Sequence, residues 1–167
     1  RHKERVRFFE TGLIFEEKKE LSQEHHVAGV IYGNSEQKQW NKTDNPSNFF
    51  DIKCDIEVLL KYLVGAEKFK FSTESVNALH PGQAMKIYMN ENEIGYFGQL
   101  HPAISLKLNF KKEVFIFDLN LDLISEKNKT RYKALSKFPI VKRDISIVVD
   151  EDITFNMILE NIKQNAS

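Results

Sequence analysis

Apolar and polar residues alternate with a period of two along several stretches of this chain, a pattern typical of β-strands. The stretch VRFFETGLIF is rich in β-branched and aromatic residues, and its Gly12 is interpreted as a β-bulge. The apolar run HVAGVIY predicts a second, central strand, and a charged loop is expected before it at residues 18–24. The predicted strands cover residues 6–15, 26–32, 69–75, 114–123 and 143–150.

Helical spacing occurs in three places. Between residues 49 and 64 apolar residues recur at the interval of an amphipathic helix, and Gly65 follows as its stop. A proline suits the start of a short helix over residues 103–108, and Thr154 can cap a last helix over residues 155–163. The pattern therefore predicts an α+β fold: an antiparallel sheet flanked by helices, followed by the opening strand and helix of a second module.

The segment LHPGQAMKIYMNENEIGYFGQLHP carries the dipeptide His-Pro twice and predicts a β-hairpin around the polar turn NENE. The predicted cross-strand pairs are Met89 with Ile94, Ile87 with Tyr96 and Met85 with Gly98. This register places His101 across from Gly82, so His80 and His101 would both lie at the open end of the hairpin. No third ligand stands at a metal-like spacing. Strand-end histidines bonded to backbone are therefore favoured over a metal or catalytic pair.

Composition narrows the class of protein. The 167 residues carry 24 basic and 24 acidic side chains, so no global field favours nucleic acid or membrane, and any RNA contact must come from a local patch. The single cysteine, Cys54, excludes an internal disulfide and suits a reducing cytoplasm, and a small packing role is favoured over a nucleophile. No 18-residue apolar run occurs. The chain begins without Met and ends within a predicted helix, so we expect a fragment of a longer protein.

Familiar catalytic motifs are missing from the sequence. G-x-x-x-x-G-K-[ST], G-x-G-x-x-G, C-x-x-C and G-x-S-x-G do not occur. Neighbouring strand residues point to opposite faces, so His25 and His26 are expected to be one solvated and one buried side chain rather than a ligand pair. Asp118, Asn120 and Asp122 would share one face of a strand, and a solvated face is favoured over a cation site.

Four longer strings occur in order and carry a family resemblance: FFETGLIF, NPSNFFDIKCDIEVLL, LHPGQA…IGYFGQLHP and KFPIVKRDISIVVDE. Together they resemble the C-terminal half of the β subunit of bacterial phenylalanyl-tRNA synthetase over nearly the whole chain. The resemblance implies a non-catalytic class II synthetase-like core domain at residues 1–124 and a linker at 125–131. It further implies that residues 132–167 are the truncated start of a ferredoxin-like anticodon-binding domain.

The resemblance also implies that this chain has no catalytic, cofactor-binding or metal-binding residues of its own. Arg7 and Glu10 occupy what looks like the strand where catalytic class II domains place Arg followed two residues later by Glu, but here the spacing is one residue wider. The glycine-rich string ending in an ATP-binding arginine is absent, and Cys54 stands where the family usually has glycine. The intact enzyme would use ATP and Mg²⁺ to activate phenylalanine.

The partners implied by the resemblance are the α subunit and a second β subunit in an α2β2 assembly, together with tRNA(Phe), in the cytoplasm and without a membrane. Lys137, Phe138, Lys142 and Arg143 form the one basic–aromatic cluster visible in the sequence and are candidates for tRNA contact. Alternatively, Arg143 pairs with Asp144 or a loop carbonyl, and Phe138 packs between modules. Two other functions remain open: a stand-alone RNA- or protein-binding module on the same fold, and an autonomous enzyme using the His-Pro hairpin.

Overall fold

Two compact units, Arg1–Thr130 and Arg131–Ser167, make up the chain in its computed structural model. The structure describes residues 5–17, 21–37, 39–40, 45–65, 68–124, 144–150 and 152–165. The first unit contains all the strands described below, and the second contributes one helix.

Six antiparallel strands form a single sheet in the first unit. They are β1 (Arg5–Glu17), β2 (Leu21–Gly33), β3 (Phe69–Ser72), β4 (Leu79–Met89), β5 (Asn92–Leu100) and β6 (Val114–Asn120). In space their order is β1-β2-β6-β5-β4-β3, so β1 and β3 are the edges within the described part of the chain. The predicted antiparallel sheet is confirmed.

Three helices form where the sequence predicts them: α1 (Phe49–Leu63), α2 (Pro102–Lys107) and, in the second unit, α4 (Phe155–Asn165). The short helix α3 (Leu121–Ile124) was not predicted and takes the place of the end of the strand expected at residues 114–123. A capping box begins α1, because the Asn48 side chain accepts from Phe50 N and Asp51 N while Asp51 Oδ2 accepts from Asn48 N at 2.8 Å. Gly65, at φ 94°, follows the end of α1. The predicted amphipathic helix and its stop are therefore confirmed.

The core lies between α1 and one face of the sheet, here called the helix face. Ile52, Ile56 and Leu60 of α1 are buried against this face, which presents the fully buried rings of Phe97 and Phe115. Burying each aliphatic side chain contributes about 1.5–3 kcal/mol to folding. The opposite face of the sheet carries the alternate residues of each strand.

The β4–β5 hairpin forms, but its predicted register is wrong by two residues beside the turn and by one residue further along. Ile87 pairs with Gly95 and Met85 with Phe97, beyond a register shift between Ile87 and Tyr88. Met89 pairs with Asn92, so only two residues, Asn90 and Glu91, make the turn. Both have positive φ, 49° and 66°, which is the backbone of a tight two-residue hairpin loop. A register shift between Leu79 and Ala84 also takes the first His-Pro out of the regular ladder, so His101 does not stand across from Gly82.

Three further predictions about the strands are wrong. Gly12 makes no bulge, because β1 pairs with β2 in unbroken register over its whole length. The second strand begins at Leu21, so residues 21–24 of the predicted loop belong to the strand instead. The last strand of the sheet ends at Asn120, whose Oδ1 accepts from the backbone of Asp122 and Leu123 and so turns the chain into α3.

The second unit contains α4, whose first turn is capped as expected. Thr154 Oγ1 accepts from Met157 N at 3.4 Å. Residues 144–150 form neither strand nor helix, so the strand predicted at 143–150 is wrong over its described part. An apolar strand pattern needs a neighbouring strand to satisfy its backbone, and within the described residues the second unit offers none.

Candidate functional site

Arg7 and Glu10, the pair in β1 that resembles a catalytic motif in the sequence, lie on opposite faces of the sheet. Arg7 stands opposite Ile31 on the helix face, and its Nη1 donates to Asp55 Oδ2 on α1 at 2.7 Å. Glu10 lies three residues along the strand and therefore points to the opposite face, across from Ala28. The two side chains cannot act on one substrate, because a sheet separates them.

The two His-Pro units are structural, as the sequence favoured. His80 Nδ1 accepts from Gly82 N at 3.0 Å, and His101 Nδ1 accepts from Ala103 N at 3.2 Å at the start of α2. Each histidine thus bonds to backbone two residues further on. Among the residues that the structure describes, no group of three or more His, Cys, Asp or Glu side chains is arranged to hold a metal ion.

His26 belongs to a polar network on the opposite face that sequence patterns did not reveal. Its side chain is 20% exposed against 62% for His25, which confirms that the two differ in burial. Its Nδ1 lies 2.5 Å from Asp118 Oδ1, and Glu24 Oε2 is 3.6 Å from its Nε2. Asn120 Nδ2 donates to the same Glu24 oxygen at 2.6 Å. The network links β2 to β6.

Asp122 does not join a row of acidic side chains on that face. It lies in α3, where its Oδ2 accepts from His25 N at 2.8 Å. The expected alignment of Asp118, Asn120 and Asp122 on one strand is wrong, since β6 ends before the third of them. The remaining two side chains are occupied by His26 and Glu24.

A second charged cluster joins β3, β4 and β5 on the same face. Hydrogen bonds from Ser72 and Tyr88 lower the pKa of the Glu74 carboxyl below its usual 4.5. Lys86 Nζ donates to Glu93 at 2.8 Å, and this hydrogen bond raises the pKa of Lys86. Burial and the neighbouring Glu74 raise the pKa of the Tyr88 phenol. The cluster is internally satisfied and stabilises strand pairing.

Cys54 does not fill space in the core. Its side chain is exposed on α1, so the expectation of a small packing residue is wrong. The helix positions that face the sheet are held by Ile52 and Ile56, and a residue two places from either points elsewhere on a helix.

Apolar side chains remain exposed around β1. A cleft of about 510 Å³ opens on the helix face between the β1–β2 hairpin and α1. Its lining includes Phe9, Val27, Leu59 and Leu63. Phe9 is 77% exposed, and other large apolar side chains of the strand share this exposure: Phe8, Leu13, Ile14 and Phe15. Exposed apolar surface of this kind marks interaction sites.

Arg5 and the segment from Lys107 to Lys112 both reach the end of β2, through the contacts of Arg5 with Ser35, of Lys112 with Asn34 and of Phe110 with Tyr32. We call this surface, made of Arg5, Lys107, Lys111 and Lys112 together with the ring of Phe110, the basic end surface. Lys112 Nζ donates to Asn34 Oδ1 at 2.9 Å, and Arg5 Nε donates to Ser35 O at 3.3 Å. The string KLNFKK carries the three lysines and the ring, so the expectation that Lys137, Phe138, Lys142 and Arg143 form the one basic–aromatic cluster of the sequence is wrong. The pairing of β2 with both β1 and β6 brings this string to the same end of the sheet as Arg5, which no sequence pattern shows.

The tRNA-contact candidates from the sequence, Lys137, Phe138, Lys142 and Arg143, lie outside the described residues. No helix in the described ranges is long and apolar enough to cross a membrane.

This geometry defines the class of the protein. It is an α+β domain built on one six-stranded antiparallel sheet, with a helix packed on one face. Residues 1–121 match the family model described as the phenylalanyl tRNA synthetase beta chain CLM domain. This chain belongs to that family, and the resemblance expected from its sequence strings is confirmed.

Three curated relatives of the same name align with nearly the whole chain. The "Phenylalanine--tRNA ligase beta subunit" of Nitrosococcus oceani is 37% identical over 98% of this chain, and that of Methylococcus capsulatus is 36% identical over 97%. The Pseudomonas fluorescens protein of the same name is 35% identical over 99%. The chain spans about a fifth of the length of these curated relatives. Among solved structures, pyrrolysyl-tRNA synthetase from Desulfitobacterium hafniense has a TM-score of 0.49 at 13% identity, covering 71% of this chain and 40% of that one.

Proposed function

We propose that this chain is a scaffold and subunit-interface part of a phenylalanine–tRNA ligase β subunit, without the active site. The family membership and the shared name of the relatives support this proposal. The intact enzyme would be an α2β2 assembly in the cytoplasm that esterifies phenylalanine to tRNA(Phe) with ATP and Mg²⁺. In that assembly the chain would help to position tRNA.

The separation of Arg7 from Glu10 supports the part of the proposal that says this chain lacks an active site. Catalytic preorganisation requires charged groups aimed at one reacting centre. Arg7 is instead paired with Asp55 on the helix face, while Glu10 points to the opposite face. A pair divided in this way cannot orient a nucleotide and an amino acid together.

The division of the chain follows the same proposal. Residues 1–124 would form the non-catalytic core domain, residues 125–131 the linker, and residues 132–167 the truncated start of the ferredoxin-like anticodon-binding domain. Lys137, Phe138, Lys142 and Arg143 would contact tRNA from that module. Apolar side chains of the second unit are exposed, including Ile145 and Met157, which suits a module whose remaining elements lie elsewhere in the longer subunit.

The apolar surface of β1 supports an interface role for the core domain. We assign it to contact with the α subunit, because Phe9 is largely exposed beside an apolar cleft. In the complete β subunit, Phe9→Glu should reduce recovery of the α subunit in co-purification. Leu106→Glu, at an exposed apolar position on α2, is the matched control and should leave recovery unchanged. Equal losses in both variants would contradict the assignment.

Phenylalanine-dependent ATP–pyrophosphate exchange tests the enzymatic half. We expect no exchange with the 167-residue chain alone and exchange when the complete β subunit is combined with the α subunit. Arg7→Gln with Glu10→Gln in the complete assembly should retain exchange, since neither side chain is assigned to catalysis. Exchange by the isolated chain, or its loss in this double variant, would overturn the proposal.

A further inference from the structure

Positive charge is concentrated on the basic end surface even though the chain as a whole has no net charge. Arg5 and residues 107–113 contribute four cations to this surface. Residues 107–113 also hold one carboxylate, Glu113, and Glu36 follows just after the end of β2. Lys107 and Lys111 are exposed, and neither has an ion-pair partner among the residues that the structure describes. Two cations are therefore available to an anionic ligand.

The other two cations of this surface are fixed in place. Lys112 and Arg5 bond to the consecutive residues Asn34 and Ser35 at the end of β2. Because both are held by the same short segment, their positions are set by the sheet rather than by flexible side chains alone. A preordered cation loses less entropy on binding an anion than a free one.

Phe110 is also fixed by backbone geometry. After α2, Phe110 N donates to Ser105 O and Asn109 N donates to Leu106 O, each at 3.0 Å, while Asn109 adopts φ 58°. These are the two hydrogen bonds of a Schellman motif. The ring packs against Tyr32 with centroids 5.5 Å apart and remains 39% exposed. Part of this aromatic ring is thus open to solvent, in a chain segment that also carries Lys107, Lys111 and Lys112.

We propose that the basic end surface is an RNA-binding site that contacts backbone phosphates of tRNA through its lysines and stacks an unpaired base on Phe110. The inference deepens the proposed function and rests on it for the choice of tRNA. Cations beside an exposed aromatic ring are the combination that single-stranded nucleic acid requires, since phosphates need charge and bases offer a π-face. None of its residues is among the candidates Lys137, Phe138, Lys142 and Arg143 that the sequence suggested.

The charge arm of the test compares two double variants of equal charge in the 167-residue chain. Lys107→Ala with Lys111→Ala should weaken binding of a fluorescent tRNA(Phe) transcript about tenfold near 0.1 M salt and lower the salt slope by about 2. Lys61→Ala with Lys70→Ala removes the same charge from α1 and β3 and should leave affinity within about twofold. Equal losses in the two doubles, or no salt-dependent binding by the unaltered chain, overturn the proposal.

The stacking arm uses Phe110→Leu, which keeps an apolar side chain against Tyr32. Affinity for single-stranded poly(U) should fall about fivefold or more, while affinity for a blunt RNA duplex should not change. Circular dichroism and thermal unfolding verify that the variant is folded. An unchanged affinity for poly(U) in the folded variant overturns the stacking role.

An acidic protein surface is the competing ligand for these lysines. If the Lys107 and Lys111 double variant in the complete β subunit keeps tRNA affinity but loses the α subunit, the RNA site is overturned. Pyrophosphate exchange by the unaltered full assembly tests the proposed function separately, because the exchange assay contains no tRNA. Exchange by that assembly together with unchanged tRNA affinity of the double variant would overturn the RNA site and leave the proposed function standing.

Discussion

Arg7 on the edge strand and Asp55 on α1 are joined by a 2.7 Å hydrogen bond across the interface between sheet and helix. Arg7, the arginine whose position resembles that of a catalytic residue, therefore makes a structural contact. Both residues belong to the lining of the apolar cleft beside α1.

We expect the Arg7–Asp55 pair to contribute little to stability. The side chains are 30% and 48% exposed, so solvent screens their attraction. Urea unfolding of Arg7→Ala, Asp55→Ala and the double variant should give a coupling free energy of about 0.2–1 kcal/mol. A coupling well above that range would show that the pair is more shielded from water than its exposure indicates.

Removing the cap of α1 should cost more than removing a polar side chain from a loop. Asn48→Ala deletes the acceptor for two backbone N–H groups, and the free energy of unfolding should fall by about 1 kcal/mol. Ser75→Ala changes an exposed residue outside the helices and strands and is the control. Chemical denaturation measures both. Similar stabilities for the two variants would refute the capping box as a stabilising feature.

Gly95 and Gly12 should respond in opposite ways to alanine. A Cβ at Gly95 would collide with the Asp118 carbonyl oxygen, and the residue has φ 154°, so Gly95→Ala should lower the free energy of unfolding by about 2–4 kcal/mol. A Cβ at Gly12 meets nothing within 4 Å. Gly12→Ala should therefore be neutral or stabilise by about 0.5 kcal/mol. Thermal unfolding of both variants measures these effects. An unchanged stability of Gly95→Ala would refute the close approach of β5 to β6 at this residue.

The Glu74 carboxyl should titrate below 4.5. Hydrogen bonds from Ser72 and Tyr88 favour its charged form, so its folded pKa lies below that of the unfolded chain. Its contribution to stability is consequently present above about pH 4.5 and is lost as the pH falls through the lower folded pKa. NMR titration of the carboxyl carbon should show this midpoint, and Tyr88→Phe should raise it. A midpoint at or above 4.5 in the unaltered chain would contradict the assignment.

Local patterns predicted the elements better than their contacts. The spacing of apolar residues in α1 can be read within one continuous segment, so Ile52 and Ile56 could be assigned to its buried side from sequence. The hairpin register depended instead on the backbone of Asn90 and Glu91, and either a two-residue or a four-residue turn was compatible with the polar string. The end of β6 depended on where the Asn120 side chain found donors.

The sites show the same limit on prediction from sequence. The backbone bonds of His80 and His101 join residues two apart, and such local contacts were foreseen. The His26–Asp118 contact and the basic end surface join residues far apart in the chain. Only the pairing of β2 with β6 brings them together, and no local pattern specifies which strands become neighbours.

The strand order has a consequence for how this domain is made. The β1–β2 hairpin and the β3–β4–β5 meander each close through short connections, yet they have no direct pairing with one another. The strand between them is β6, the last of the six to leave a ribosome, and it pairs with β2 across about ninety residues of chain, as in His26 with Asn120. Closing that long loop is slow because its entropy is lost before its contacts form. During synthesis, the β1–β2 hairpin and the β3–β4–β5 meander therefore remain unpaired along β2 and β5 until β6 is made and pairs with both strands.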